Sequence, residues 1–214
     1  MPTRVKVCGI TWLEDAHRAV ELGAAALGFN FYPPSARYIP PALARKIILT
    51  LPPLVTPIGV FANETEEEHV AGVAAEAGVA AVQLHGREFP SLDRALARFT
   101  VIRAVAVSAG FRAEILRELR AAAFLLDAFD PRLPGGTGRP FNWTLARDAN
   151  RFGTIILAGG LTPENVAEAI REVRPFAVDV ASGVESAPGV KDADKLRNFF
   201  REVERADRAI DHTM

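Results

Sequence analysis

Cysteine is almost absent from the 214 residues: there is one, Cys8. A lone thiol closes no intramolecular disulfide and lacks the neighbours of a thiolate metal site. It suits a reducing compartment. Charge of either sign is not in excess, since 25 Lys and Arg face 26 Asp and Glu and the net charge is −1. No electrostatic argument therefore points to nucleic acid or to a membrane surface. No apolar run approaches the ~20 residues that span a bilayer. The opening Met1-Pro2-Thr3-Arg4 leads into a strand-like run with no apolar signal region. No Gly-x-Gly-x-x-Gly follows that run, which argues against a dinucleotide-binding sheet. No His-x-x-x-His or carboxylate–His spacing gathers metal ligands, so no metal is expected. These absences predict a cytoplasmic protein without nucleic acid or membrane partners.

What is present is an ordinary globular composition, 49% hydrophobic and 24% charged, with ample material for a core. Apolar runs rich in Val, Ile, Ala and Phe occur at 4–8, 26–31, 55–61, 79–84, 100–107, 123–128, 154–158 and 176–181. They recur at about the length of one βα unit. Amphipathic stretches lie between most of them. The segment 13–22 carries apolar residues at Leu13, Ala16, Ala19, Val20 and Leu22, and 43–49 follows a Pro-Pro start. The segment 64–77 opens with the acidic turn Glu66-Glu67-Glu68, which suits the positive end of a helix dipole. Thr162-Pro163-Glu164-Asn165 reads as an N-cap with Pro at the first helical position, and Asp192 as the cap of the last helix. Runs apolar on both faces fit a parallel sheet covered by helices. Eight βα units in this length predict an α/β single domain, a (β/α)8 TIM barrel over residues 1–204, with a polar tail over 205–214.

In such a barrel the chemistry gathers at the carboxyl ends of the strands, and that is where the unusual residues fall. Run one ends in Cys8-Gly9, run four in Gln83-Leu84-His85-Gly86, run six in Asp127, run seven in Gly159-Gly160, and run eight carries Asp179 and ends in Ser182-Gly183. The glycine pairs after runs seven and eight let backbone N–H groups approach an anion and predict a phosphate site. Gly136 lies in the Gly135-Gly136-Thr137-Gly138 loop, read as a cover that closes over substrate. Arg37, in the loop after run two, can grip a carboxylate with two parallel hydrogen bonds. Asp127 ends an otherwise apolar run, and a buried carboxylate there needs a reason; desolvation would raise its pKa and suit it to donate a proton. Asp179 is a candidate partner for substrate hydroxyls, and His85 is either a satisfied polar residue or a substrate contact. Cys8 is either an inert core filler or a reactive thiol.

Taken together, these segments resemble the phosphoribosylanthranilate isomerase family. The matching stretches are Lys6-Val7-Cys8-Gly9-Ile10-Thr11, Ser35-Ala36-Arg37-Tyr38, Val82-Gln83-Leu84-His85-Gly86, Leu126-Asp127, Leu157-Ala158-Gly159-Gly160-Leu161, and Ser182-Gly183-Val184-Glu185 with Gly189-Val190-Lys191-Asp192. The resemblance implies an Amadori rearrangement in tryptophan biosynthesis, with Cys8 as general base and Asp127 as general acid. It implies that Arg37 holds the anthranilate carboxylate and that the loops after strands seven and eight hold the phosphate. The substrate-derived iminium is the electron sink, so no cofactor is implied. The histidine-pathway isomerase, which carries Asp where Cys8 stands, and a catalytically silent phosphate-binding barrel are the alternatives. The partner expected is a small phosphorylated substrate. For a homodimer the candidate surfaces are Phe31-Tyr32-Pro33-Pro34 and Pro52-Pro53-Leu54.

Overall fold

The structure, a computed structural model, describes residues 1–63, 66–86, 96–108, 110–127 and 143–211. Eight parallel strands close into a barrel in chain order. They are β1 (Arg4–Cys8), β2 (Ala26–Asn30), β3 (Thr56–Ala62), β4 (Ala81–His85), β5 (Thr100–Ala106), β6 (Ala123–Asp127), β7 (Ile155–Ala158) and β8 (Ala177–Val180). Helices α1 (Leu13–Glu21), α2 (Pro41–Ile48), α3 (Glu67–Ala77), α4 (Trp143–Ala149), α5 (Val166–Val173) and α6 (Ala193–Asp211) alternate with them. Between β5 and β6 the connection is a 3-10 segment, Ala113–Glu118.

Local chemistry accounts for the helix ends. Pro41 pre-sets the first turn of α2. Gly78, at φ 77°, closes α3 in the left-handed region that favours glycine. Asp192 Oδ1 accepts the Asp194 and Lys195 N–H groups at 2.9 Å each, capping α6 as expected. The start of α5 differs from expectation. Thr162 Oγ1 does accept the Glu164 N–H at 3.2 Å, but the regular helix begins only at Val166, after a tighter turn. The polar tail also differs. Residues 205–211 continue α6, because Ala206 is fully buried and Asp207 accepts bonds from the Thr3 N–H and hydroxyl at 2.7 and 2.6 Å.

Two apolar layers hold the barrel. The outer one lies between strands and helices and includes Val5, Val7, Leu27, Phe29, Leu126, Leu157 and Val178, with Ala16, Ala19, Ile170 and Phe199 from the helices. The inner one fills the barrel with Ile58, Ala81, Ile102, Ala123, Leu125, Ile156, Ala158 and Ala177. Side chains alternate along a strand. Among the positions that follow the inner set by two residues are Gln83, Asp127 and Asp179, so these face the barrel interior toward its carboxyl end. On β1, Val5 and Val7 join the outer layer, leaving Lys6 and Cys8 to face inward. The amino half of the interior is thus apolar and the carboxyl half polar.

After β8 the chain makes a short 3-10 turn, Ser182–Val184, and then an antiparallel hairpin, β9 (Glu185–Ala187) with β10 (Val190–Lys191). Sequence periodicity does not reveal this hairpin, because strands of three and two residues are too short to show an alternation.

Candidate active site

Cys8 sits at the carboxyl end of β1, partly buried, with its register partner Gly28 on β2. A Cβ on Gly28 would lie 2.7 Å from Cys8 Sγ and 3.1 Å from Lys6 Nζ. Glycine is therefore what leaves room for the thiol and the ammonium side by side. Lys6 is fully inside the barrel, 2% exposed, and its Nζ donates to Asp179 Oδ1 at 2.9 Å. Burial lowers the affinity of Lys6 for its proton, but the Asp179 carboxylate, joined by Cys8 when that is ionised, outweighs this and raises Lys6 above its ordinary value, a cation at neutral pH. For Cys8 the balance runs the other way. Burial raises the thiol above its ordinary value, and the pull of Lys6 and Lys191 does not fully offset it. A basic neighbour that favours the thiolate is present, but the resting group is the thiol.

His85 ends β4 beside Gln83, with the His85 Nε2 2.6 Å from the Gln83 amide nitrogen. With Gln83 donating, the ring carries its proton on Nδ1. Gln83 Oε1 is buried and has no partner among the described residues. Burial first, and the Lys6 charge second, lower His85 to about 4. At neutral pH it is an uncharged hydrogen-bonding group, not an acid. Asp127 ends β6 between Ala106 of β5 and Ala158 of β7.

Arg37 is delivered by a loop that Asn30 and Ser35 fold. Asn30 Oδ1 accepts the Tyr32 N–H at 2.9 Å, and Ser35 Oγ accepts both Asn30 Nδ2 and the Arg37 N–H at 3.1 Å. The arginine stem crosses Gly9, whose φ is 74° and where a Cβ would come within 2.6 Å of Arg37 Cδ. Its guanidinium donates from Nε to Glu185 Oε1 and Oε2 at 2.9 and 3.1 Å and from Nη2 to Oε2 at 2.6 Å. Nη1 has no protein partner among the described residues. An end-on pair of N–H groups, one from Nη1 and one from Nη2, is left to meet an anion.

The loops after β7 and β8 meet. Gly159 and Gly160 have φ of 84° and 65°, and a Cβ on Gly160 would meet nothing, so its backbone borders open space. Asn165 staples this turn, accepting the Thr162 N–H at 2.8 Å and donating to the Gly160 carbonyl at 2.9 Å. Gly183 presses on the other loop: a Cβ there would lie 1.9 Å from the Leu161 carbonyl oxygen. Ser182 opens the 3-10 turn beside it.

The structure therefore gathers Cys8, His85 and Asp179 around the Lys6 ammonium, with Arg37, Asp127 and the paired glycine loops on the same carboxyl rim. Gly136 lies outside the described residues. Among the described residues no cluster of three or more His, Cys, Asp and Glu side chains could hold a metal ion, and no helix is long and apolar enough to cross a membrane. Sequence reasoning missed the roles of Lys6, Gln83, Glu185 and Lys191. The signal for Lys6 was legible, since a charge two residues before Cys8 in an apolar strand must face the same way.

Residues 5–202 match the family model described as N-(5'-phosphoribosyl)anthranilate (PRA) isomerase. The N-(5'-phosphoribosyl)anthranilate isomerase of Trichlorobacter lovleyi is 52% identical over 204 residues, 95% of this chain and 98% of that one. A phosphoribosyl anthranilate isomerase solved in complex with reduced 1-(o-carboxyphenylamino)-1-deoxyribulose 5-phosphate superposes with a TM-score of 0.81 at 46% identity, covering 95% of this chain and 99% of that one. A monomeric form generated from the dimeric enzyme of Thermotoga maritima gives 0.80 at 44% identity over the same shares.

Proposed function

The chain belongs to the N-(5'-phosphoribosyl)anthranilate isomerase family and is an isomerase of tryptophan biosynthesis, and from that premise we propose that Cys8 and Asp127 carry the proton transfers of its Amadori rearrangement. Asp127 donates a proton to the ribose ring oxygen, and the bond from that oxygen to the anomeric carbon breaks. The anilino nitrogen supplies its lone pair and a cationic iminium forms. Cys8 yields its own proton to solvent, and the resulting thiolate removes the proton from C2; the electron pair of that C–H bond becomes the C1–C2 double bond of an enolamine as the iminium C=N pair returns to nitrogen. The enolamine tautomerises to the ketone. The net change is an isomerisation, with no electrons supplied from outside.

The observation that carries this reading is the placement of Cys8. The only thiol in the chain faces the barrel mouth beside a buried ammonium, in a gap that a glycine keeps open. Burial alone makes the thiolate costly. Lys6 reduces that cost, and an iminium arriving next to Sγ reduces it further, because an opposite charge nearby favours the ionised form. The thiolate is thus most populated when the intermediate that needs it is present. Asp127 stands on β6, three strands around the barrel from the β1 that carries Cys8, and so approaches the sugar from another side.

Arg37 takes the anthranilate carboxylate through its Nη1 edge, and the open turn at Gly159-Gly160 with Ser182-Gly183 takes the phosphate. Asp179 and His85 face the sugar and offer hydrogen bonds to its hydroxyls. Gly136 belongs to the cover in this reading. The protein works in the cytoplasm, consistent with its single cysteine. A homodimer would use Pro52-Pro53-Leu54, because Leu54 is 91% exposed while Phe31 of the other candidate surface is 6% exposed.

The test follows the loss of the anthranilate fluorescence of the substrate. Cys8→Ser and Asp127→Asn are each expected to lower kcat by orders of magnitude with an unchanged circular dichroism spectrum. Near-wild-type turnover in either variant removes the role assigned to that residue.

A further inference from the structure

The hairpin β9–β10 brings together charges that the reaction scheme leaves without a task. Glu185 and Lys191 are buried, their side chains 4% and 0% exposed, and Lys191 Nζ donates to Glu185 Oε1 at 2.8 Å. The same Oε1 accepts the Gly189 N–H at 3.3 Å from the turn of the hairpin. Lys191 Nζ also donates to the Cys8 carbonyl at 2.6 Å and the Ala181 carbonyl at 3.4 Å. The hairpin itself is pinned to the rim: the Lys191 N–H donates to Asp15 Oδ2 at 2.8 Å, and the Glu185 carbonyl accepts from Lys195 Nζ at 2.8 Å. Two cations on one buried carboxylate hold Glu185 well ionised, below the usual carboxylate range.

We propose that Glu185 is a positioning residue that aims Arg37 at the substrate carboxylate, with Lys191 fixing Glu185 relative to the backbone of Cys8. The proposal rests on the reading of Arg37 as the carboxylate clamp. A free arginine side chain samples many rotamers, and ordering one on binding costs affinity. Here Glu185 holds Nε and Nη2, so the planar fork is fixed before substrate arrives and only the Nη1 edge is presented. A carboxylate held by that edge approaches from one direction. Lys191 then ties the same assembly to the strand end that carries the thiol, so the distance from clamp to base is set by a chain of bonds between rigid groups. A surface ion pair could not do this, because solvent would compete for each bond.

This arrangement predicts a specific kinetic pattern. Loosening Glu185 should weaken recognition of carboxylated substrate while leaving a substrate without the carboxylate unaffected. Glu185→Asp keeps the buried negative charge but retracts it by one methylene, so it cannot hold both Arg37 and Lys191. Glu185→Gln keeps the length and removes the charge. Either variant is measured with N-(5'-phosphoribosyl)anthranilate and with its analogue built on aniline, and each is checked for an unchanged melting profile. For Glu185→Asp, KM for the carboxylated substrate is expected to rise about tenfold or more with kcat changed less than threefold, and KM for the aniline analogue to stay within twofold. Glu185→Gln is expected to give a larger rise of the same kind. A purely structural role would raise both KM values together or lower kcat for both, and that result, or an unchanged or lowered KM for the carboxylated substrate, overturns the proposal. Arg37→Ala separates the underlying reading. If it costs both substrates equally, Arg37 is not the clamp and the premise fails. If it abolishes discrimination while both Glu185 variants retain it, the clamp stands and the positioning role falls. Should Glu185→Gln fail to fold because Lys191 is left buried without a counter-ion, Glu185→Asp alone decides the matter.

Discussion

Replacing Gly28 by Ala tests whether Cys8 is held at a working position or merely fills space. The added Cβ lies 2.7 Å from Cys8 Sγ, 3.1 Å from Lys6 Nζ and 3.2 Å from Cys8 Cα. Ordinary contact begins at 3.4 Å, so Sγ must retreat by about 0.7 Å. The ammonium cannot take up the strain freely, being tied to Asp179 at 2.9 Å, and Cys8 Cα belongs to the backbone of β1. Overpacking of this kind costs about 1–3 kcal/mol, offset by about 0.5–1 kcal/mol from the lower unfolded-chain entropy of Ala. The melting temperature should fall by a few degrees only, at roughly 2–4 °C per kcal/mol for a chain of this size. Activity should fall much further. A misplacement near 1 Å can cost about 100-fold in rate, so Gly28→Ala should lose roughly ten- to a hundredfold in kcat. The assay pairs fluorescence-monitored turnover with a thermal melt on the same preparation. If kcat stays within twofold of wild type in a variant that melts normally, the thiol position is not critical and the reasoning from Gly28 is refuted.

The pH dependence follows from two groups. Burial raises Cys8 in the folded protein, so the stability linked to it is intact below the ordinary thiol value of 9.0 and is lost as pH rises through the folded value; urea midpoints should decline at alkaline pH, and Cys8→Ser should flatten that decline. If the thiolate is the base, kcat/KM should climb with pH over the same alkaline range. His85 is lowered from 6.5 to about 4, so the unfolded chain binds the extra proton between those values and stability should fall as pH drops through that window; His85→Asn should remove the slope there. Gly183→Ala places a Cβ 1.9 Å from the Leu161 carbonyl and should separate the two loops, raising both KM and the inhibition constant for inorganic phosphate about tenfold or more; unchanged phosphate inhibition would refute the cradle. Lys6→Met leaves Asp179 buried without its counter-ion and should cost about 3–5 kcal/mol, whereas Lys6→Met with Asp179→Leu should recover most of it, and both should lose turnover; equal stability of the two, read from urea denaturation, would contradict the pairing.

The strands were legible because each is a short apolar run, and all eight fall within two residues of the runs read from sequence. Parallel strands covered on both faces have no polar side to interrupt the run. The rim was legible for a related reason: Cys8, His85, Asp127 and Asp179 break apolar runs at or near their carboxyl ends, and an interruption with a solvation cost stands out. What escaped was pairing between distant segments. Arg37 and Glu185 are 148 positions apart and Lys6 and Asp179 are 173 apart, and neither pair leaves a local pattern. The hairpin that carries Glu185 and Lys191 was hidden for the same reason, its purpose being contacts with Thr11, Asp15 and Arg37 rather than its own periodicity. The segment beyond residue 204 reads as a polar tail because its polar residues dominate, yet Asp207 bonds Thr3 at the start of the chain and Ala206 is buried.

Buried charge explains why the two ends of the barrel differ. An ion pair inside a protein rarely stabilises it relative to apolar side chains of the same size, so Lys6–Asp179 and Glu185–Lys191 are poor choices for holding a fold. Apolar side chains could replace each pair whole, although removing one partner alone is costly. The amino half of the interior is closed by Ile58, Ile102, Leu125 and Ile156, and the strands are sealed from outside by α1 to α6. That surplus lets the carboxyl half carry lysines where packing alone would favour leucine. Both lysines reach the same residue: Lys6 faces the Cys8 side chain, and Lys191 binds the Cys8 carbonyl. A thiol that burial keeps protonated needs positive charge near it to ionise, and charge fixed in advance acts without solvent rearrangement at the moment of transfer. The two ammonium groups lie where a thiolate, and not a thiol, would need them.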